Sequence, residues 1–160
     1  MAKQSIPATQ AVRALRQAGV AFELHSYRYE EKGGTAVAAR ELGWDEHAVI
    51  KTLVFVDDQR RPLIVLMHGD RQVSAKNLAR AIGAKAVSPA DPALANRLTG
   101  YQVGGISPFG QKAVLPVYVE KTILDLPRIL INAGRRGLLA EVDPAVIGQM
   151  LTAAPVEAAV

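Results

Sequence analysis

The residues best placed to do chemistry sit in Thr99–Gly110, TGYQVGGISPFG, which packs four glycines and one proline into twelve residues. Backbone N–H groups in such a loop can approach a ligand closely, because no Cβ blocks the way or restricts φ. Pro108 fixes its own φ and biases Ser107 away from helix, so part of the loop is stiff. That chemistry suits a carbonyl, a ribose or a phosphate; a long turn between strands would use the same residues. Lys51 interrupts an apolar run, VIKTLVFV. It either faces solvent from one side of a strand or aims a cation into a cleft, against phosphate or developing negative charge. Arg135 and Arg136 stand between Gly134 and Gly137, where they form either a phosphate clamp or a solvated turn.

Other chemistries are poorly supported. The chain contains no cysteine, which removes disulfides, thiolate metal sites and a cysteine nucleophile. His25, His47 and His68 are widely spaced, with neither HxxH nor HExxH, and read as surface or strand-end residues; no metal and no cofactor is expected. The GxSxG of a serine hydrolase and the GxxxxGK[ST] of a phosphate-binding loop are both missing. Asp57 and Asp58 fall at a hairpin tip and read as turn formers, so paired acid–base carboxylates are not evident.

These residues need a scaffold. The length of 160 residues fits one domain, 49% hydrophobic and 21% charged. Lys and Arg number 19 against 15 for Asp and Glu, a net charge of +4 that permits a nucleic-acid partner. Aromatic residues make up only 5%, too few for reading bases by stacking along a strand. The opening MAKQSIPATQ has no signal-like apolar run, and stretches such as LIVLM are too short to span a bilayer. A cytoplasmic protein without membrane or DNA partners is the expectation.

Along the chain, Thr9 is expected to cap a helix to about Ala18, and Val20–Tyr29 alternates like a strand. Thr35 is expected to open a second helix ended by Gly43. Val49–Val56 and Pro62–Met67 form a hairpin around DDQRR. Ser74 caps a helix closing at Gly83, followed by a short strand at Ala84–Val87 and a helix over Pro89–Leu98. Strands follow at Val114–Val119, Ile129–Asn132 and Leu138–Val142, with Asp143 capping a last helix. A frayed tail is expected from about residue 154. Interspersed helices and hairpins predict an α/β (α+β) fold, one compact domain over 1–160 with a central mixed β-sheet surrounded by helices.

Five segments in order, IKTLVF, SAKNLARAIGAK, TGYQVGGISPFGQK, LPVYVE and NAGRRG, closely resemble the YbaK family of aminoacyl-tRNA editing domains, related to the insertion domain of bacterial prolyl-tRNA synthetase. The resemblance runs from about Thr9 to Leu151 and implies hydrolysis of the ester of mischarged tRNA. It implies that Lys51, in the KTL motif, holds the 3′-terminal adenosine, and that Gly104, Gly105, Ile106, Ser107 and Pro108 form the loop beside the ester. By the same resemblance Tyr27 lies near the pocket, with Thr52, Asn132 and Gly134 as further substrate-lining candidates; the mild positive charge makes Lys76, Arg80, Arg135 and Arg136 the candidates for tRNA phosphates. An aminoacyl ester is already activated, so positioning and oxyanion stabilisation can outweigh a strong protein nucleophile. Cysteine-specific members of the family are thought to use the substrate's own thiol.

Cys-tRNA(Pro) is the leading substrate implied, with mischarged tRNA and prolyl-tRNA synthetase as partners. The chain departs from the cysteine-specific pattern in three places. EEKGGTAV is shorter and lacks a phenylalanine, Asn132 stands where serine is usual, and the chain reads LLAEV after NAGRRG, where the similar enzymes carry an aspartate near Leu139. A Ser-, Thr- or Ala-tRNA deacylase, or a non-catalytic module binding charged tRNA or a synthetase, stays open.

Overall fold

The computed structural model describes residues 8–160; most of the N-terminal stretch read for a leader (residues 1–7) lies outside them. Helix α1 (Gln10–Gln17) starts at Thr9, whose hydroxyl accepts from the Val12 N–H at 3.0 Å and donates to the Ala133 carbonyl. One side chain therefore caps the helix and ties it to the sheet. Ala11, Val12 and Leu15 bury one face as expected, whereas Ala18 is exposed.

Eight strands form one mixed sheet. Strand β1 (Glu23–Ser26) begins the order, followed by α2 (Gly34–Leu42) and a 3-10 turn at Glu46–Ala48. The hairpin of β2 (Val49–Asp57) and β3 (Pro62–His68) is antiparallel, with Lys51 opposite Met67. Asp57 closes its turn by accepting from the N–H groups of Gln59 and Arg61 and from the Arg61 guanidinium, as turn chemistry predicts. Then come α3 (Ala75–Ile82), β4 (Val87–Pro89), α4 (Pro92–Thr99), β5 (Val117–Glu120), β6 (Ile129–Arg135), β7 (Leu138–Val142), α5 (Ala145–Leu151) and β8 (Ala154–Val156). Across the sheet the order is β1-β7-β6-β2-β3-β5-β8, with β4 also paired to β2. The β2–β6, β3–β5 and β5–β8 pairs are parallel.

Alternation along the strands sends side chains to two cores. Ile50, Val54, Ile64, Leu66, Ile131 and Ala133 point to the face covered by α1, α4, α5 and the glycine loop. On the opposite face, Phe55, Val65 and Met67 pack under Leu78 and Ala79 of α3, and Val49, Leu130 and Leu139 pack under Ala38 and Ala39 of α2. The expected α/β layering is what the molecule shows.

Several boundaries differ for identifiable reasons. The first strand stops at Ser26, because the Tyr27 N–H turns to the Gly137 carbonyl. Helix α2 starts at Gly34 without a side-chain cap, since the Thr35 hydroxyl is drawn to Glu46 Oε2 at 2.7 Å and the Gly69 carbonyl at 3.2 Å. The strand expected at Ala84–Val87 slides to Val87–Pro89, because Ala84 and Lys85 still belong to the helix exit, bonded to Ala79 and Asp58. Val114 is fully exposed, and its strand begins only at Val117.

The C-terminal tail is a correction. Instead of fraying, Ala154–Val156 adds a parallel strand to β5, and Ala158 is fully buried. The buried Glu120 carboxylate accepts from the N–H groups of Ala158 and Ala159, an anchor that composition alone does not reveal.

Candidate active site

One row across the sheet organises the site. His25 lies opposite Leu139, and Leu139 opposite Asn132. In the parallel β2–β6 pair Val49 sits beside Leu130 and Ile50 beside Ile131; the paired register ends there, with Lys51 and Asn132 the next residue on each strand. By alternation Lys51 and Asn132 both point away from the core that takes Ile50 and Ile131. Thr52, by the same alternation, faces that core. Its Oγ1 is buried with no hydrogen-bond partner among the described residues.

Asn132 brings the glycine loop to this row. Its Nδ2 donates to the carbonyls of Gly104 (3.3 Å) and Arg135 (3.2 Å), and its Oδ1 accepts from the N–H groups of Gly134 (2.7 Å) and Arg135 (3.2 Å). Two donors and two acceptor sites exhaust an amide side chain. Asn132 is thus a clamp between loop and β6–β7 turn. Gly105 completes the joint: a Cβ there would stand 2.7 Å from the Arg136 backbone nitrogen. Gly134, with φ of +96°, is a close-packing position, since a Cβ would meet the Tyr101 ring at 2.8 Å.

The loop itself is shut from within. Tyr101 donates its phenol to the Phe109 carbonyl, and burial pushes its pKa up to about 12. Asn96 accepts from the Val103 N–H at 3.1 Å. Ile106, Ser107 and Pro108 are buried, and the Ser107 hydroxyl accepts from the Phe109 N–H at 3.2 Å. These three residues hold the loop from inside. Gly104 alone of the GGISP stretch is exposed, and its N–H has no partner among the described residues.

Lys51 is half-buried, and burial lowers its pKa against the opposing pull of Glu46 and Asp70. Its ammonium donates to the Arg71 carbonyl, which leaves two N–H groups for a ligand. Tyr27, also half-buried, has its pKa raised by burial and by neighbouring Tyr29, so its phenol keeps its proton at neutral pH.

The basic residues fall into two groups. Arg136 donates through Nε to the Val103 carbonyl at 3.0 Å and lies 5.1 Å from the centre of the Tyr29 ring, so it braces the loop; Arg135 is exposed beside it. Lys76 and Arg80 are away from the loop, on the exposed face of α3. Arg80 lines an open groove of about 570 Å³ with Asn77, Glu120, Lys121 and Glu157. That groove is a separate feature from the Lys51 row.

Two histidine arrangements escaped the sequence reading. His47 and His68 stack in parallel with centroids 3.7 Å apart, and His68 is 1% exposed. His25 meets Glu141 at 2.9 Å, with Arg128 on the other carboxylate oxygen at 3.1 Å and Glu23 nearby. Glu141 thus holds both side chains, His25 on one carboxylate oxygen and Arg128 on the other. The HGD that ends β3 was the available signal for the first pair, a strand followed directly by glycine and a turn former.

The sheet thus carries a half-buried lysine on β2 and, beside the β6–β7 turn, a glycine loop clamped by Asn132. The sequence matches the family model described as the aminoacyl-tRNA editing domain over residues 30–148, and the chain belongs to that family. Among its relatives is EbsC of Enterococcus faecalis, a proposed Cys-tRNA(Pro)/Cys-tRNA(Cys) deacylase, 30% identical over 146 residues that span 91% of this chain and 89% of EbsC. The proline–tRNA ligase of Thermodesulfovibrio yellowstonii is 31% identical over 91 residues, which cover 57% of this chain and 16% of the ligase. In fold, the chain is similar to the crystal structure of a proposed trans-editing enzyme for prolyl-tRNA synthetase, with a TM-score of 0.84 and 22% identity over 98% of this chain and 99% of that one.

Proposed function

We propose that this protein is a trans-editing deacylase that hydrolyses the ester of mischarged tRNA, with Cys-tRNA(Pro) as its first substrate. The observation that carries the reading is the exposed Gly104 peptide, its carbonyl clamped by Asn132, a side chain that, like Lys51, points away from the core of Ile50 and Ile131. In this reading Lys51 holds the terminal adenosine and the Gly104 N–H polarises the ester carbonyl. Water, or the cysteine thiol of the substrate, attacks the carbonyl carbon; the bond to the ribose oxygen breaks, and that oxygen takes up a proton. Tyr27 lines the amino-acid side of the pocket, and the exposed Arg135, Lys76 and Arg80 meet phosphates. The working compartment is the cytoplasm, where tRNA is charged, and prolyl-tRNA synthetase is the natural partner for such editing.

A second reading, a Ser-, Thr- or Ala-tRNA deacylase, draws on Leu139. This buried apolar residue sits next to Asn132 in the row, where cysteine-specific relatives place an aspartate. Purified protein incubated with Cys-, Ala-, Ser- and Pro-charged tRNA separates the two. Selective loss of the cysteine ester supports the first reading, and efficient Ser-tRNA hydrolysis overturns it in favour of the second. No ester loss above buffer for any amino acid overturns both.

A further inference from the structure

The four residues after the β3 core, His68-Gly69-Asp70-Arg71, form a turn closed by the Arg71 N–H on the His68 carbonyl at 3.1 Å. Every one of the four is pinned by a contact outside the ordinary ladder. His68 Nδ1 is 2.7 Å from the His47 carbonyl, and its Nε2 is 2.7 Å from the Thr122 hydroxyl. A carbonyl can only accept, so Nδ1 carries the proton, and a neutral ring takes the Thr122 O–H on Nε2. The Gly69 carbonyl accepts from Thr35, and a Cβ on Gly69 would lie within 2.7 Å of Thr35 Oγ1 and of the carbonyls of Val49 and Glu46. Asp70 accepts from His47 Nδ1 at 2.8 Å, and the His47 ring in turn lies flat on His68. The fourth residue, Arg71, offers its carbonyl to the Lys51 ammonium.

Such over-determination is more than a hairpin exit needs. Contacts from α2, from the 3-10 turn at Glu46–Ala48 and from Thr122 converge on four residues whose one outward product is the Arg71 carbonyl. We infer that the His68–Arg71 turn is the positioning element of Lys51, and that Asp70 and His47 act on the reaction by fixing where the Lys51 ammonium stands. The inference rests on the reading of Lys51 as a substrate-holding residue. It adds which groups make that residue competent. Asp70 and His47 are positioning residues and touch no substrate. The burial that lowers the Lys51 pKa fits a side chain held against the protein instead of roaming in solvent.

Asp70 and His47 are partly exposed, so their variants keep the core intact. Asp70→Ala removes both the hydrogen bond and the charge, whereas Asp70→Asn keeps an acceptor for His47 Nδ1 and removes the charge alone. The expected result is a fall in kcat/KM for mischarged tRNA of about tenfold in Asp70→Ala, the scale of a misplaced group, and recovery to within about twofold of the parent in Asp70→Asn. The 15N-labelled Lys51 Nζ resonance should move further in Asp70→Ala than in Asp70→Asn, which registers only the lost Asp70 charge. An Nζ signal and kcat/KM unchanged in Asp70→Ala overturn the inference, as does equal loss in both variants, which would make charge the cause. The Nζ resonance is read without substrate. A shifted resonance with no deacylation in the parent protein therefore sinks the deacylase reading while leaving the positioning claim standing.

Discussion

The two walls of the candidate site are built by opposite means. The loop wall, Gln102–Gly110, presents backbone and is held by the neutral Asn132 amide, which spends all four of its hydrogen bonds on main-chain partners. The turn wall, His68–Arg71, steers a charged side chain and is held by imidazoles and carboxylates. Both rely on a glycine with no space for a Cβ, Gly105 in one and Gly69 in the other. A wall that must offer a bare N–H to a carbonyl gains from a clamp that never titrates. A wall that must hold an ammonium gains from nearby anions, and it inherits their sensitivity to pH.

The comparison breaks first at Lys51. If the turn wall exists to place this ammonium, Lys51→Ala lowers kcat/KM for mischarged tRNA by about a hundredfold or more, as removing a single positioned donor does elsewhere. The loop wall stays assembled, because no contact of Asn132 runs through Lys51. The check is single-turnover deacylation beside a thermal melt that stays within a degree or so of the parent. Full activity in Lys51→Ala would assign the chemistry to the loop alone. Retained tRNA binding in a parent protein without deacylation would favour the non-catalytic module.

How far the sequence foretold these walls follows from how local each signal is. Glycine density, Pro108 and the interrupted apolar run around Lys51 are local and were readable, as were the caps Thr9 and Ser74. The hydrogen-bond saturation of Asn132 was not readable, because one of its four bonds goes to Gly104, 28 residues away. The opposite directions of Lys51 and Thr52 follow from strand alternation, which adjacency in the KTL motif does not display. The histidine pair is more remote still. His47 and His68 are 21 positions apart and meet only because β2 and β3 fold back on each other. The tail was read as frayed from its composition, and a single buried carboxylate on β5 decided otherwise.

Next in size is a matched pair of glycine substitutions. Gly69→Ala puts a Cβ against two carbonyls and a hydroxyl, all at 2.6–2.7 Å, and none of the three is the end of a long flexible side chain. Gly105→Ala puts one 2.7 Å from the Arg136 nitrogen and 2.9 Å from the Arg135 carbonyl carbon. Each should cost about 1–3 kcal/mol of stability, the usual range for overpacking, as read by urea unfolding. The activities should separate them. Gly69→Ala shifts the Lys51 Nζ resonance, whereas Gly105→Ala leaves that resonance alone and lowers kcat through the Gly104 peptide. If both variants moved the resonance equally, the two walls would be one unit.

The smallest effect is the one that distinguishes the walls by chemistry. Burial holds the His68 pKa below the ordinary histidine value, the largest of the influences on it. Its unfolded value is near 6.5, so as pH falls below about 6.5 the unfolded chain takes up a proton that the folded ring refuses. The unfolded state binds more protons in that window. The stability contributed by neutral His68 is therefore complete above pH 6.5 and drains away as pH falls toward the depressed folded value. Asn132 has no such window. Melting followed from pH 7.5 down to 5.5 should show a decline in the parent that is shallower in His68→Asn, which keeps a donor for the His47 carbonyl and cannot titrate. The counterpart Asn132→Ser, though less stable throughout, should retain the slope of the parent. An identical slope in His68→Asn would mean that the turn wall's histidine is as silent in this range as the amide across from it.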